Sequence, residues 1–210
     1  MRSDDNENVG NLNRKDDSLL AHARRSTLPL PPPLFAPLPW TTFPGLFAAG
    51  GLDVMTAALL AALPLPAPRA RVCDFACGSG TLTAALLARE PSLRVDALDA
   101  DAVALAAAAL NAPAARICEP TDGWPIPTNA KHRRYHLIVS NPPVHRGQPD
   151  DLRVLRGLLM GAITRLRTSG ALYIVAQAHV PVGPLAANAG LRAVVERVGG
   201  GHFLVWRCVK

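Results

Sequence analysis

The chain has 210 residues, nearly half of them hydrophobic, and its 22 basic residues exceed its 16 acidic ones for a formal charge of +6. That length holds one domain of roughly 150 to 180 residues plus a tail, and the charge suits an anionic partner such as nucleic acid without dictating a fold. No stretch reaches the ~18 to 20 uninterrupted apolar residues that span a bilayer, and four scattered cysteines (Cys73, Cys77, Cys118, Cys208) form neither a CxxC pair nor a zinc cluster with histidines, so neither a membrane span nor a bound metal is expected.

Residues 1–27 are polar and mixed in charge, with no apolar core of a signal peptide, and are expected to be a disordered tail of a cytoplasmic protein. Residues 28–42 contain "LPLPPPLFAPLPW", which reads as an extended, proline-rich lead-in that packs Leu34, Phe35 and Trp40 on the domain. A ligand for a polyproline-reading module is the other reading of that stretch.

From residue 43 to 210 the pattern is that of one domain in which strands alternate with helices. "LDVMTAALLAAL" reads as a helix with Asp53 at or near its N-cap. "RVCDF" is a short buried strand, "GTLTAALLARE" a helix opened by glycines, "LRVDALD" a second strand and "DAVALAAAALN" an alanine-rich helix. "ARIC" and "HLIVS" are the third and fourth strands. "LRVLRGLLMGAITRLR" is a helix ending at Gly170, "ALYIVAQ" a fifth strand, and a short helix falls near Leu185 to Ala189. Strands at about 193–198 and 202–209 flank the turn Gly199 to Gly201 and should be antiparallel. The fold class is therefore α/β, a mostly parallel sheet with helices on both faces.

Two corners carry the chemistry. In "VCDFACGSGTL" a strand ends at Asp74, and Gly78 and Gly80 precede a helix, so a ligand can approach bare backbone and free N–H groups. Asp99, twenty-one residues past Gly78, ends the next strand, where an acid accepts hydrogen bonds from ribose hydroxyls. The ligand is read as a nucleoside. Nothing here completes G-x-G-x-x-G, and Asp74 would repel a pyrophosphate, whereas an acid suits a ligand with an ammonium and a sulfonium. The pattern thus suggests S-adenosylmethionine over a dinucleotide; a tight strand-to-helix turn without a ligand is the plainer alternative. The second corner is Asn141-Pro142-Pro143, after the fourth strand. Ligands in open parallel sheets sit beyond the carboxyl ends of the strands, so Asp74, Asp99 and Asn141 are expected to converge. An exocyclic amine is a poor nucleophile because its lone pair is delocalised. The Asn141 side-chain oxygen and the Pro142 carbonyl could take both N–H bonds and turn the lone pair toward an electrophile, with the prolines fixing the backbone. A simple turn after a strand is the alternative there.

"DFACGSG", "LDAD" and "IVSNPPVHRG" resemble class I S-adenosylmethionine-dependent methyltransferases with an N-P-P motif. "FPGLFAAGGLDVMTAALLAAL" and "GGGHFLVWRCVK" more narrowly resemble the RsmC-type small-subunit ribosomal RNA guanine-N2 methyltransferases. The resemblance implies a seven-stranded Rossmann-like sheet with one antiparallel strand, S-adenosylmethionine as cofactor, and RNA as partner. It implies Asp74, Ala76, Gly78 and Gly80 as the methionine-side loop, Asp99 at the ribose, and Asp122 (with Glu119 nearby) in the region that contacts adenine. It makes Asn141, Pro142 and Pro143 the amine clamp, with Val144 on the substrate side and the stretch around Phe47, Gly51 and Asp53 closing over both ligands. His145 and Arg146 follow as further substrate-side candidates, with a cap on the next helix as the other reading of His145.

Three departures stand out. Val144 occupies a position that is usually aromatic and stacks on the base. Ala76 replaces a glycine, a mild change if its backbone angles are ordinary. The family's larger members carry a preceding duplicate domain with no counterpart in this sequence, so RNA contact is expected to fall to Lys131, Arg133, Arg134, Arg146, Arg153 and Arg156, or to another protein. A protein glutamine N-methyltransferase, and a methyltransferase-like binding or assembly factor without turnover, are the alternatives.

Overall fold

A computed structural model describes residues 18–31, 36–125, 134–144 and 152–210. Its centre is a seven-stranded sheet in the order β5-β4-β3-β6-β7-β9-β8. The strands are β3 (Arg71–Phe75), β4 (Arg94–Leu98), β5 (Arg116–Ile117), β6 (Tyr135–Ser140), β7 (Leu166–Gln177), β8 (Arg192–Gly199) and β9 (Phe203–Val209). The pairs from β5 to β7 are parallel, and β9 runs antiparallel to both β7 and β8. The expected Rossmann-like sheet with one antiparallel strand is the one observed.

Strands covered on both faces must be apolar at successive positions, and β3 and β6 show it. Val72, Leu137 and Val139 face one core with Leu59, Leu82 and Leu86. Cys73, Phe75 and Ile138 face the other with Leu155, Leu158 and Leu159. The first core is covered by α1 (Val54–Ala62) and α2 (Thr81–Arg89), the second by α4 (Arg153–Arg165) and α5 (Val182–Asn188). Helix α3 (Ala102–Asn111) closes the β4 end through Leu105 and Ala108 on Ala97. From β3 the chain winds outward through β4 and β5, then returns to lay β6 on the other side of β3. Such a reversal opens a crevice beyond the carboxyl ends of the two central strands.

Two expectations change. Part of the polar tail and of the lead-in is a hairpin: β1 (Arg24–Leu28) pairs antiparallel with β2 (Leu38–Thr42) in a sheet of its own. Leu28, Leu30 and Trp40 sink into the first core, and that burial supplies the stability which an isolated hairpin lacks. Trp40 thus packs as expected, while Leu34 and Phe35 lie outside the described residues. Secondly, the helix expected to run to Gly170 ends at Arg165. Leu166, fully buried opposite Tyr135, already opens β7. Gly170 belongs to the strand, where an added Cβ would stand 2.7 Å from the Tyr135 carbonyl oxygen.

Candidate functional site

A cleft of about 330 Å³ opens at that carboxyl edge, a size suited to a small-molecule ligand. The glycine loop (Ala76 to Ser79), Asp99 and Asp101 line one side, and Asn141, Pro142, Pro143 and Val144 the other. Gly45 to Phe47, Gly51, Asp53 and Thr56 form a rim. Its charged lining among the described residues is Asp53, Asp99 and Asp101, with no Lys, Arg or His. A cleft of that sign favours a cation and disfavours a phosphate.

The loop is shaped by backbone angles that side chains rarely adopt. Gly78 (φ 53°) and Gly80 (φ 85°) are left-handed, and a Cβ at Gly80 would come within 3.1 Å of Ala108 on α3. Ala76 also has a positive φ, 57°. The change from glycine is therefore not mild, since an L-residue there costs roughly 1–2 kcal/mol. The Gly78 N–H donates to Asp99 Oδ2 at 2.8 Å and the Asp101 N–H to Asp99 Oδ1 at 3.0 Å. The carboxylate is fixed by backbone, and each oxygen keeps a lone pair for a ligand hydroxyl.

Asp74 corrects the expected convergence. It is fully buried, and it does not line the cleft. Its Oδ2 accepts from the Thr83 N–H (3.1 Å) and hydroxyl (2.7 Å), so it clamps the first turn of α2 under the loop. Oδ1 is buried without a partner. Burial raises the carboxyl to about 7, the Thr83 hydrogen bonds opposing the shift and the charge of Asp99 adding to it.

At the other corner, the Ser140 hydroxyl donates to the Phe75 carbonyl (2.7 Å), tying the ends of β6 and β3 together. The Asn141 Nδ2 donates to Thr56 Oγ1 at 3.0 Å and reaches Asp53 Oδ2 at 3.5 Å. The Thr56 hydroxyl donates in turn to Asp53 Oδ2, while Asp53 Oδ1 caps α1 by accepting from the Met55 (2.9 Å) and Thr56 (3.1 Å) N–H groups. Asn141 Oδ1 has no hydrogen-bond partner among the described residues. Pro142 is buried and Pro143 exposed. Val144, at 5% exposure, sits mainly in the second core and offers the cleft little surface. Phe47, by contrast, is 71% exposed on the rim.

Beside the cleft, and sharing Ala76, Asp99 and Pro143 with it, lies a smaller depression of about 40 Å³ lined also by Phe75, Leu98, Thr121 and Asp122. Asp122 is brought there by Trp124, which the sequence reading passed over. Its ring packs at a tilt of 48° against Phe75 (centroids 4.8 Å apart), lies under the Arg165 guanidinium (4.7 Å), and donates Nε1–H to the Gly157 carbonyl (3.1 Å). A Cβ at Gly161 would stand 2.0 Å from that ring. The signal for it in the sequence is Gly161, a glycine in the middle of α4. Thr56, Thr83 and Asn111 were also missed. Asn111 Oδ1 accepts from the Thr41 N–H (2.7 Å), and its Nδ2 donates to the carbonyls of Thr41 (2.8 Å) and Ser79 (2.9 Å), linking β2 to the glycine loop.

His145, Arg146, Lys131 and Arg133 lie outside the described residues. Arg153 and Arg156 are exposed on the first turn of α4, at the cleft edge of the sheet. Arg134 precedes β6 at the opposite edge, beside Arg167, so among the described residues Arg134 does not share a patch with Arg153 and Arg156. No helix among the described residues is long and apolar enough to cross a membrane, and among them no group of three His, Cys, Asp or Glu is placed to hold a metal.

Comparison with known proteins gives relatives of the same architecture. The ribosomal RNA small subunit methyltransferase C of Erwinia tasmaniensis is 33% identical over 172 residues, 80% of this chain and 48% of its own length. That of Salmonella newport is 34% identical over 169 residues, again 80% and 48%. The chain thus spans about half the length of these curated relatives. Among solved structures, the T. thermophilus 16S rRNA N2 G1207 methyltransferase, in complex with AdoMet and guanosine, superimposes with a TM-score of 0.75 at 24% identity, covering 90% of this chain and 50% of that one. A TehB-like SAM-dependent methyltransferase from Corynebacterium glutamicum gives 0.59 at 23% identity, covering 78% and 91%. The family model for the methyltransferase small domain matches residues 38–205, and the chain belongs to that family.

Proposed function

We propose that this protein is an S-adenosylmethionine-dependent N-methyltransferase acting on an exocyclic amine, with guanine N2 of small-subunit ribosomal RNA as the acceptor. The observation that carries the reading is the shared cleft: one cavity is lined by the glycine loop with Asp99 and by Asn141, whose Oδ1 is free to accept a hydrogen bond. The relatives' names supply the substrate class.

The residues fit the cofactor. It brings an electrophilic methyl group on a positively charged sulfur, and the all-carboxylate lining suits that charge. In this reading the backbone of Ala76, Gly78 and Gly80 cradles the methionine side, with Asp74 holding the loop from below. Asp99 accepts from the ribose, and the adenine lies along the depression next to Asp122, which admits one edge of the ring. Asn141 Oδ1 and the Pro142 carbonyl each accept one N–H of the amine, which directs its lone pair at the methyl; orientation and electrostatics supply the rate. Once methylated, the nitrogen is acidic enough to lose its proton to water. Phe47 offers an exposed ring face to the base in place of the aromatic that Val144 replaces, a contact worth ~1–3 kcal/mol. Exposed Arg153 and Arg156, with Arg146, are assigned to RNA phosphates, and His145 to orienting the substrate. Ribosomal RNA as partner puts the protein in the cytoplasm.

Radiolabelled S-adenosylmethionine with small ribosomal subunits, naked RNA or protein extract tests this: label in RNA is expected, and label in protein alone would replace the acceptor with a glutamine amide. Cofactor binding without transfer to any of them would overturn it. Asn141→Ala should abolish transfer while leaving cofactor affinity within a few-fold, whereas Asp99→Ala should weaken cofactor binding; unchanged affinity in the latter would move the nucleoside elsewhere.

A further inference from the structure

A side-chain amide offers an oxygen at one end and an NH₂ at the other, and the corner at Asn141 works as an amine acceptor only if the oxygen faces the cleft. Nothing within the Asn-Pro-Pro turn enforces that choice. The neighbouring helix does. Thr56 has one hydroxyl hydrogen, and it goes to Asp53 Oδ2. What Thr56 Oγ1 presents to residue 141 is consequently a lone pair, which takes the Nδ2–H at 3.0 Å. Rotating the amide by half a turn would set Oδ1 against that lone pair and against the Asp53 carboxylate, 3.5 Å away in the present arrangement. The carboxylate itself cannot swing aside, because Oδ1 is held by two N–H groups at the start of α1, where the helix dipole also favours its charge.

We propose that Thr56 and Asp53 are positioning residues: a one-way chain of hydrogen bonds, Asn141 Nδ2–H to Thr56 Oγ1–H to Asp53 carboxylate, fixes the polarity of the Asn141 amide and keeps its oxygen toward the cleft. The members lie 85 and 88 residues from Asn141 in sequence, so α1 is an integral part of the acceptor corner. Thr56 is buried and Asp53 and Asn141 are half-buried, which limits competition from water at the middle link. The inference rests on the reading of Asn141 as the group that receives the amine, and it assigns the reason why its oxygen is available.

The test compares wild type, Thr56→Val, Thr56→Ser and Asn141→Ala by two readouts. The first needs no turnover: hydrogen exchange of the Asn141 side-chain NH₂, identified as the resonance missing in Asn141→Ala. It should be slow in wild type and Thr56→Ser and fast in Thr56→Val, with thermal unfolding of each variant recorded to show that it is folded. The second is methyl transfer to small-subunit RNA. Thr56→Val should lower kcat by roughly 10- to 100-fold, the range expected for a misaligned reacting group, with cofactor Kd within a few-fold. Thr56→Ser should restore it. Equal amide exchange in wild type and Thr56→Val, or a Thr56→Val kcat equal to that of wild type, overturns the proposal. A wild type that shows the protected amide yet methylates no amine supports the hydrogen-bond chain and overturns the function assigned to the corner.

Discussion

Raising the pH should weaken the fold through Asp74, and the size of the effect follows from its burial. The carboxyl titrates at about 7 in the folded protein against 3.8 in the unfolded chain. Between those values the folded state keeps a proton that the unfolded chain has released, so stability falls as pH rises. The contribution is complete below pH 3.8 and gone once pH has passed through 7. Each unit is worth 1.36 kcal/mol, and from pH 5.5 to 8 about 1.5 units remain to be lost, or about 2 kcal/mol. The comparison is with Asp74→Asn, whose amide oxygen can still accept both Thr83 bonds but cannot ionise. Urea unfolding of the two proteins at pH 5.5, 6.5, 7.5 and 8 would be subtracted, so that groups common to both cancel. Wild type should lose about 2 kcal/mol relative to the variant across the series. Parallel curves, or a wild type that gains on the variant with pH, would show that the carboxylate is stabilised as an anion and that burial does not dominate.

Two further outcomes concern the same neighbourhood. Ala76→Gly should relieve a left-handed alanine and, after the greater backbone entropy of glycine is set against that gain, stabilise by about 0.5–1 kcal/mol, a rise of a few degrees in Tm; a lower Tm would contradict the φ of 57°. Gly161→Ala should lift Trp124 off α4, costing about 1–3 kcal/mol for the overpacked ring and weakening cofactor binding through the displaced Asp122; a variant of wild-type stability would mean the ring does not rest there.

The sheet was legible because its strands are buried on both faces: runs such as "RVCDF" and "HLIVS" have no other economical use, and the glycines and caps between them mark the helices. The hairpin was not, because β1 is Arg-Arg-Ser-Thr-Leu, four polar residues and a single buried leucine. It is a strand only because Leu28 and Trp40 find a core made elsewhere in the chain. The ends of the central strands could be placed at one edge from topology, yet the direction of each side chain could not. Asp74 is captured by Thr83, nine residues on, and turns away from the cleft. Thr56 reads as an ordinary residue in the first turn of a helix, and nothing local announces that it meets Asn141. Ala76 likewise hides its strain, since sequence shows the missing glycine but not the angle.

Asn111 gives the N-terminal hairpin a reach that its position in the chain would not suggest. A protein trimmed to start at residue 43, where the helix–strand alternation begins, would discard Trp40 and Leu28 and strip this asparagine of two of its three bonds, leaving the one to Ser79. The glycine loop would then be anchored by a side chain open to water, so expression boundaries for this protein belong upstream of residue 24.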